Sequence, residues 1–129
     1  MLTQQKSGGK CLDGVRVLIV EDDPLLLLDL ELILAGAGAM VVGLCQTLED
    51  ALRRAFPVDF AIAVLDFRLG DETASAVARR LEDQGVPFVF YTGQGRYEPS
   101  LAEWGHRPIV EKPSTPQALV RAVKEALPD

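Results

Sequence analysis

The sequence predicts an α/β fold with a doubly wound parallel sheet of five strands. Short apolar runs rich in Val, Ile and Leu alternate with helix-like segments from one end of the chain to the other. The run at 15–20 is almost continuously apolar, which is typical of a strand covered on both faces. Five such strands separated by helical segments imply right-handed crossovers and an open sheet with helices on both sides.

Start and stop signals set the bounds of each element. Pro24 is suited to the first turn of a helix, and either Asp22 or Asp23 can act as its N-cap. Thr47 opens the second helix as part of a capping box with Asp50. The predicted strands are residues 15–20, 40–44, 60–65, 88–91 and 108–110, and the predicted helices are residues 24–36 or 24–38, 47–55, 72–84 and 116–127.

The pattern is weakest between Gly93 and Arg107. Further glycines and a proline interrupt this stretch, although one or two helical turns at 100–104 are compatible with it. We therefore expect a mobile segment here. Trp104, the only tryptophan of the chain, is either an exposed anchor for a partner or a side chain packed on the sheet, and the usual burial of tryptophan favours packing.

Length and composition indicate one domain. A chain of 129 residues leaves little room for a second, and we assign residues 14–129 to the domain and 1–13 to a flexible N-terminal tail. This tail lacks the apolar core of a signal peptide. The most apolar run, 25–40, contains Asp29 and Glu31 and is too short to span a membrane, so no membrane association is expected.

Cysteine, histidine and charge content exclude further classes. Cys11 and Cys45 form no CxxC motif, and the single histidine has no partner spaced for zinc. A reducing cytoplasm is therefore the expected compartment. The formal net charge of −6 repels nucleic acid and acidic lipid, so protein partners are expected instead.

Functional side chains follow four of the five predicted strands. Glu21 and Asp22 follow the first strand, Asp66 the third, Thr92 the fourth and Lys112 the fifth, and open doubly wound sheets bind ligands at these carboxyl ends. Three carboxylates at one edge would raise one another's pKa unless a cation lay among them. Mg²⁺, which prefers oxygen ligands and bridges to phosphates, fits this requirement, and Lys112 would complete the charge balance.

Each of these residues also has an ordinary structural explanation. Asp22 can simply cap a helix, Asp66 can end a strand and open a turn, and a lone lysine such as Lys112 is usually solvated. Their joint occurrence at the strand ends favours a shared site over these separate explanations.

Four motifs resemble the receiver domain of two-component response regulators: VLIVEDDP (17–24), AVLDFRLG (63–70), FVFYTGQG (88–95) and PIVEKP (108–113). The resemblance spans about residues 15–127 and implies a flavodoxin-like receiver fold with strand order 2-1-3-4-5. The YTGQG segment is also similar to the single-domain subgroup named for its Phe-Ala-Thr-Gly motif, the FATGUY receivers. Tyr91 stands where that subgroup has alanine.

The resemblance implies a phosphoacceptor. Asp66 would take a phosphoryl group from a sensor histidine kinase or a phosphotransfer protein, and Thr92 and Lys112 would contact the phosphoryl oxygens. Phosphoryl transfer depends mainly on positioning and on neutralising the charge of the equatorial oxygens, which Mg²⁺ and an ammonium group can do.

The resemblance also implies the ligands of the Mg²⁺ ion. Asp22 and Asp66 would bind the metal directly, Glu21 would bind it through water, and the backbone carbonyl of Arg68 would add a further oxygen. In similar receivers the side chain at the position of Arg68 influences the lifetime of the phosphorylated state.

Two features concern switching and the geometry of the site. Ile109 occupies the position where many receivers carry a Tyr or Phe that reports phosphorylation, so that aromatic coupling cannot operate here. The segment between Gly93 and Gly105 is the predicted substitute. The resemblance further implies a cis peptide bond between Lys112 and Pro113.

The sequence thus predicts a stand-alone receiver that signals through an unknown downstream protein or acts as a phosphate sink, since 129 residues leave no room for an output domain. It would not be an enzyme beyond its own Mg²⁺-dependent phosphorylation and dephosphorylation, and a homodimer is compatible with the sequence. Two alternatives stay open. One is a phosphohydrolase with an aspartyl nucleophile, although Arg68 stands where its second acid belongs, and the other is a non-phosphorylated interaction scaffold.

Overall fold

A parallel sheet of five strands forms the centre of the computed structural model, which describes residues 10–93 and 98–128. In chain order the strands are β1 (Arg16–Val20), β2 (Met40–Cys45), β3 (Ile62–Leu65), β4 (Arg68–Leu69), β5 (Glu72–Thr73), β6 (Phe88–Thr92) and β7 (Ile109–Glu111). The central sheet has the order β2-β1-β3-β6-β7, and β4 and β5 form a separate antiparallel hairpin. Counted along the central sheet alone, the order is 2-1-3-4-5, which confirms the predicted fold class and strand order.

Helices cover both faces of the sheet. In the described residues they are α1 (Pro24–Gly36), α2 (Leu48–Arg54), α3 (Ser75–Asp83), a 3-10 helix (Pro99–Trp104) and α4 (Pro116–Ala126). Helices α1 and α4 pack on one face, where Leu30, Leu34 and Leu119 are buried. Helices α2 and α3 and the 3-10 helix pack on the other face, where Leu81 and Leu101 are buried.

Strand β1 contributes to both apolar layers, as its composition predicts. Leu18 and Val20 point into the layer beneath α2 and α3, whereas Val17 and Ile19 point into the layer beneath α1 and α4. All four are fully buried. Because side chains alternate along a strand, only an unbroken apolar run can satisfy both layers.

The helix caps resolve an ambiguity in the acidic run. The Asp23 side chain accepts hydrogen bonds from the backbone N–H groups of Leu25 at 2.9 Å and Leu26 at 3.4 Å, so Asp23 is the N-cap of α1. Asp22 therefore has no capping role. Thr47 Oγ1 accepts from the N–H of Asp50 at 3.1 Å, which confirms the predicted start of α2.

The predicted helix at 72–84 is wrong at its start. Glu72 and Thr73 form strand β5, which pairs with Leu69 and Arg68 of β4, and the helix begins only at Ser75. Gly70 has a φ of +65°, which permits the tight turn between the two strands. The N–H of Ala74 donates to the carbonyl of Phe67 at 2.7 Å, so the chain enters the helix from the hairpin rather than from an earlier helical turn.

The predicted third strand also begins too early. Phe60 is buried at 6% exposure, but the strand starts at Ile62. The apolar side chain of Phe60 packs on the core from outside the strand and does not belong to the sheet.

The predicted N-terminal tail includes a buried residue. Residues 1–9 lie outside the described part of the chain, but Leu12 is fully buried and its N–H donates to the carbonyl of Ala37 at 2.9 Å. The folded unit therefore extends at least to Leu12, ahead of the assigned boundary at residue 14.

Trp104 packs in the core, so the favoured prediction for this residue is confirmed. It is 2% exposed, and its ring packs edge-on against Phe88 and Phe90 with centroids 5.8 and 6.0 Å apart. The indole N–H donates to Ser75 Oγ at 3.4 Å. The helical turns foreseen at 100–104 are present as the 3-10 helix, whereas residues 94–97 of the predicted mobile segment lie outside the described residues.

Removal of the Trp104 side chain tests this packing. Trp104→Ala should lower the free energy of unfolding by about 3–5 kcal/mol, because it leaves a cavity beside the rings of Phe88 and Phe90. Urea unfolding followed by far-UV circular dichroism measures the change. Leu25→Ala, at a helix position that is 77% exposed, is the control and should stay within about 0.5 kcal/mol of the wild type. Equal losses for the two variants would contradict the packing.

Thiol reactivity tests the burial of β2. Burial raises the pKa of the Cys45 thiol above its usual range, so the folded protein holds less of the reactive thiolate at any given pH. Cys11 is exposed. Iodoacetamide at about pH 8 should therefore alkylate Cys11 and spare Cys45 until urea is added, as counted by intact mass. Rapid double alkylation without urea would contradict the burial.

Candidate functional site

The residues singled out in the sequence lie together at the carboxyl edge of the central sheet. Glu21 and Asp22 follow β1, Asp66 follows β3, Thr92 ends β6 and Lys112 follows β7. An open cavity of about 220 Å³ at this edge is lined by Asp22, Asp66, Arg68, Thr92, Gly93 and Lys112. Glu21 is 1% exposed and joins the group through its contact with Lys112.

Lys112 connects two buried carboxylates. Its Nζ donates to Glu21 Oε1 at 2.7 Å and to Asp66 Oδ2 at 3.2 Å. Burial alone would lower the pKa of Lys112, but the hydrogen bond to Glu21 and the charges of Asp66 and Glu21 outweigh it and raise that pKa. The side chain therefore stays a charged ammonium group in the resting site.

The contact with Lys112 only partly offsets the cost of burying the negative charge of Glu21. Burial raises its pKa to about 7, and the nearby charge of Asp66 acts in the same direction. Hydrogen bonds from Lys112 and from the N–H of Asp23, at 3.1 Å to Glu21 Oε2, oppose the rise without cancelling it. An added cation would favour the ionised carboxylate, so the site has capacity for further positive charge.

The donor atoms fit a small divalent cation. One carboxylate oxygen from each of Glu21, Asp22 and Asp66 can be chosen so that all three lie within 4.8 Å of one another. Asp22 is exposed, and its Oδ2 accepts from the N–H of Gly70 at 3.0 Å, which orients the carboxylate. Receiver domains generally bind Mg²⁺ through such an acidic cluster, and carboxylate oxygens are ligands that Mg²⁺ prefers.

Thr92 lines the cavity from the end of β6, which neighbours β3 on the side away from β1. The residue is 2% exposed, and its carbonyl accepts from the backbone N–H of Lys112 at 2.9 Å, which ties the ends of β6 and β7 together. The Lys112–Pro113 peptide bond is cis, as the resemblance implies.

Three contacts at the site were not foreseen from the sequence. Lys112 Nζ lies 5.5 Å from the ring centroid of the buried Tyr91, and the N–H of Gly70 holds Asp22. The guanidinium of Arg68 pairs with Glu98, with Nη2 at 3.0 Å from Oε1. Gly70, four residues after Asp66, marks a turn in the sequence, but nothing in the sequence links it to Asp22. Nothing links Arg68 to a residue 30 positions away either.

Comparison with known proteins defines the family. The family described as "Response regulator receiver domain" matches residues 17–124, and the fold and the acidic cluster agree with it. The chain belongs to the response regulator receiver domain family. Members of this family act in two-component signal transduction and are not conventional enzymes, so the phosphohydrolase alternative is not supported.

Individual relatives agree with this assignment. The phyllosphere-induced regulator PhyR of Methylorubrum extorquens is 30% identical over 121 residues, which are 88% of this chain and 44% of PhyR. A response regulator receiver protein from Sinorhizobium medicae superposes with a TM-score of 0.75 at 28% identity and covers 88% of this chain and 94% of its own. A mutant of the anti-anti-sigma factor PhyR from Bartonella quintana gives 0.72 at 26% identity, over 89% of this chain and 49% of its own.

The chain thus spans less than half the length of either PhyR protein. The FATGUY subgroup is not named by these relatives and stays a prediction.

Within residues 10–93 and 98–128, no helix has the length and apolar character needed to cross a membrane.

Magnesium binding tests the acidic cluster. Saturating Mg²⁺ should raise the free energy of unfolding of the wild type by about 1–3 kcal/mol, since a ligand that binds only the folded state stabilises it. Asp22→Asn should lose most of this gain. Asp71→Asn, at an exposed turn of the β4–β5 hairpin, is the matched control and should keep it. Urea unfolding with Mg²⁺ or with EDTA measures the difference, and equal stabilisation of Asp22→Asn and wild type would contradict the site.

Proposed function

We propose that this receiver domain accepts a phosphoryl group on Asp66 from a sensor histidine kinase or a phosphotransfer protein, in a reaction that requires Mg²⁺. The observation that supports this most strongly is the position of Asp66. Its carboxylate shares the Lys112 ammonium with Glu21 and lines a cavity open to a donor. A nucleophile, a cation and a cation-binding acid pair therefore meet at one point.

In the covalent step, one bond to phosphorus forms and another bond to phosphorus breaks. A carboxylate oxygen of Asp66 attacks the phosphorus atom of a phosphohistidine, a P–O bond forms, and the P–N bond breaks with its electron pair retained by the imidazole nitrogen. Asp66 is suited to this role because it is 7% exposed and held in place by Lys112. Positioning of this kind supplies much of the catalysis in phosphoryl transfer.

Mg²⁺, when bound, supplies positive charge beside the oxygens of the transferred group. The residues proposed to hold it are Asp22, Asp66, the backbone carbonyl of Arg68 and, through water, Glu21. The closeness of the three carboxylates and the raised pKa of Glu21 support this assignment.

Lys112 and Thr92 are proposed to bind the product. Transfer converts the Asp66 carboxylate into an acyl phosphate, and the Lys112 ammonium then faces phosphoryl oxygens in addition to Glu21. The Thr92 hydroxyl can donate a hydrogen bond to the same oxygens, because Thr92 lines the same cavity. A phosphoryl group that recruits new donors in this way can reorder the loop that carries them.

The output is proposed to be protein contact controlled by phosphorylation, or else withdrawal of phosphoryl groups from the donor, with this domain as a phosphate sink. The two PhyR proteins, one of which is named an anti-anti-sigma factor, match this chain over a region that is less than half of each. They support a receiver that works through a partner protein, and they do not identify that partner.

Labelling with a small phosphodonor tests the proposal. Acetyl phosphate and Mg²⁺ should add one phosphoryl group to the wild type by intact mass, and hydroxylamine should discharge it, as expected of an acyl phosphate. Asp66→Asn should abolish the adduct because it removes the nucleophile. Asp71→Asn, a nearby exposed aspartate, should label normally.

Two outcomes would count against the proposal. An unmodified wild type at saturating Mg²⁺ would leave the scaffold alternative as the better account, and equal labelling of Asp66→Asn would place the phosphoacceptor elsewhere. The lifetime of the adduct then separates the two outputs, because a phosphate sink discharges quickly whether or not a partner is present.

A further inference from the structure

Two cationic side chains, Lys112 and Arg68, line the cavity. Lys112 binds Glu21 and Asp66, whereas Arg68 contacts none of the three clustered carboxylates in the contacts described. It is the first residue of β4, it lines the cavity together with Asp66, Thr92 and Lys112, and its side chain is 49% exposed. The guanidinium is instead bound to Glu98, at 3.0 Å to Oε1 and 3.4 Å to Oε2. The positive charge of Arg68 therefore lies at the cavity but is paired with Glu98 instead of with the carboxylate cluster.

Glu98 is an unusual partner for a half-exposed arginine. Its side chain is only 8% exposed, and it is the residue that immediately precedes the 3-10 helix Pro99–Trp104. Its carbonyl accepts from the N–H of Leu101 at 3.0 Å, in the first turn of that helix. A carboxylate this buried is unfavourable without a paired cation, so the position of Glu98 depends on Arg68.

The charge of the site changes when Asp66 is phosphorylated. Before transfer, a bound divalent cation and the Lys112 ammonium would together balance the three carboxylates of the cluster. A phosphoryl group carries about 1.5 to 2 negative charges near neutral pH, which exceeds the single charge of the carboxylate it replaces. The phosphorylated site therefore has room for one further cation, and Arg68 lies on its rim.

We propose that Arg68 is an additional phosphoryl-binding residue held in reserve by Glu98, and that its transfer from the Glu98 carboxylate to the phosphoryl oxygens passes the signal to the 3-10 helix. This inference rests on the proposed phosphorylation of Asp66. In the resting site only Nη2 of Arg68 contacts Glu98. A two-point contact with phosphoryl oxygens uses a planar pair of guanidinium donors, so it would turn the group toward Asp66 and draw Nη2 away from the Glu98 carboxylate. Phosphorylation thus leaves Glu98 without its cation at the start of the helix.

The 3-10 helix is placed to report this loss. Its last residue, Trp104, packs on Phe88 and Phe90, and Glu103 accepts two hydrogen bonds from Arg79 of α3 at 3.0 and 2.9 Å. A shift at Glu98 therefore alters contacts with both the sheet and α3. This route does not use residue 109, where the chain has isoleucine in place of an aromatic residue.

Beryllium fluoride tests the exchange, since it adds to a carboxylate as a tetrahedral mimic of a phosphoryl group. Its affinity is measured at saturating Mg²⁺ by calorimetry and by the emission of Trp104. Glu98→Gln removes the competing charge and should tighten binding by up to about fivefold, the range for a half-exposed ion pair. Arg68→Gln should weaken binding about tenfold and abolish the change in Trp104 emission. The double variant should match Arg68→Gln, and Arg68→Lys should recover part of the affinity.

Glu49→Gln is the matched control. It breaks an Arg–Glu pair on α2, where Arg53 Nη1 lies 3.5 Å from Glu49 Oε2, and neither residue lines the cavity or contacts the 3-10 helix in the contacts described. It should leave the affinity for beryllium fluoride unchanged.

Glu98→Gln should tighten the binding of beryllium fluoride and Arg68→Gln should weaken it. These opposite effects distinguish the exchange from a purely structural ion pair. Weaker or unchanged binding in Glu98→Gln, with a wild type that binds normally, would overturn the exchange while leaving the proposed phosphorylation intact. A wild type that binds no beryllium fluoride and is not labelled by acetyl phosphate would overturn the proposed function and this inference with it.

Discussion

The ammonium group of Lys112, placed between two buried carboxylates, is the interaction on which the rest of the site depends. Glu21 and Asp66 are 1% and 7% exposed, and burying two acids side by side is unfavourable unless a cation accompanies them. Lys112 reaches both from the end of β7. The strand order puts β1 and β3 next to each other and β7 beyond β6, so the fold itself brings these three side chains to one edge.

The single positive charge of Lys112 does not balance the carboxylates of Glu21, Asp22 and Asp66. The excess of negative charge favours the binding of a further cation. The pKa of Glu21 is still raised to about 7, which means that the folded protein gains from any further cation at the site. A divalent metal would satisfy that need in the resting state. On the proposed function, phosphorylation would change the balance again, and Arg68 on the rim is the group proposed to respond. Electrostatics would then connect metal binding, phosphoryl transfer and the 3-10 helix.

The fold and most of the site could be predicted because they depend on regular features of the sequence. Unbroken apolar runs such as Val17, Leu18 and Ile19 mark strands covered on both faces, and strand ends in such sheets meet at one edge. The β4–β5 hairpin could not be predicted, since strands of two residues carry no periodic signal. The same holds for the ion pair between Arg68 and Glu98, which depends on how the β4–β5 hairpin and the start of the 3-10 helix approach each other.

Burial was the other property that sequence patterns could not decide. Leu12 lies in a polar stretch and is nevertheless fully buried, because a turn carries it back under Ala37. Trp104 had two interpretations until its neighbours were known. Local patterns specify which elements form, whereas the partners of a given side chain depend on tertiary packing.

A crystal structure with Mg²⁺ and beryllium fluoride would test the central claim most directly, since it shows where the Lys112 ammonium lies once the acceptor is occupied. We expect beryllium bonded to a carboxylate oxygen of Asp66, the metal held by Asp22 and Asp66, and Lys112 Nζ within hydrogen-bond distance of a fluoride. An unmodified Asp66, with Lys112 still hydrogen-bonded to both Glu21 and Asp66 at saturating ligand, would contradict it.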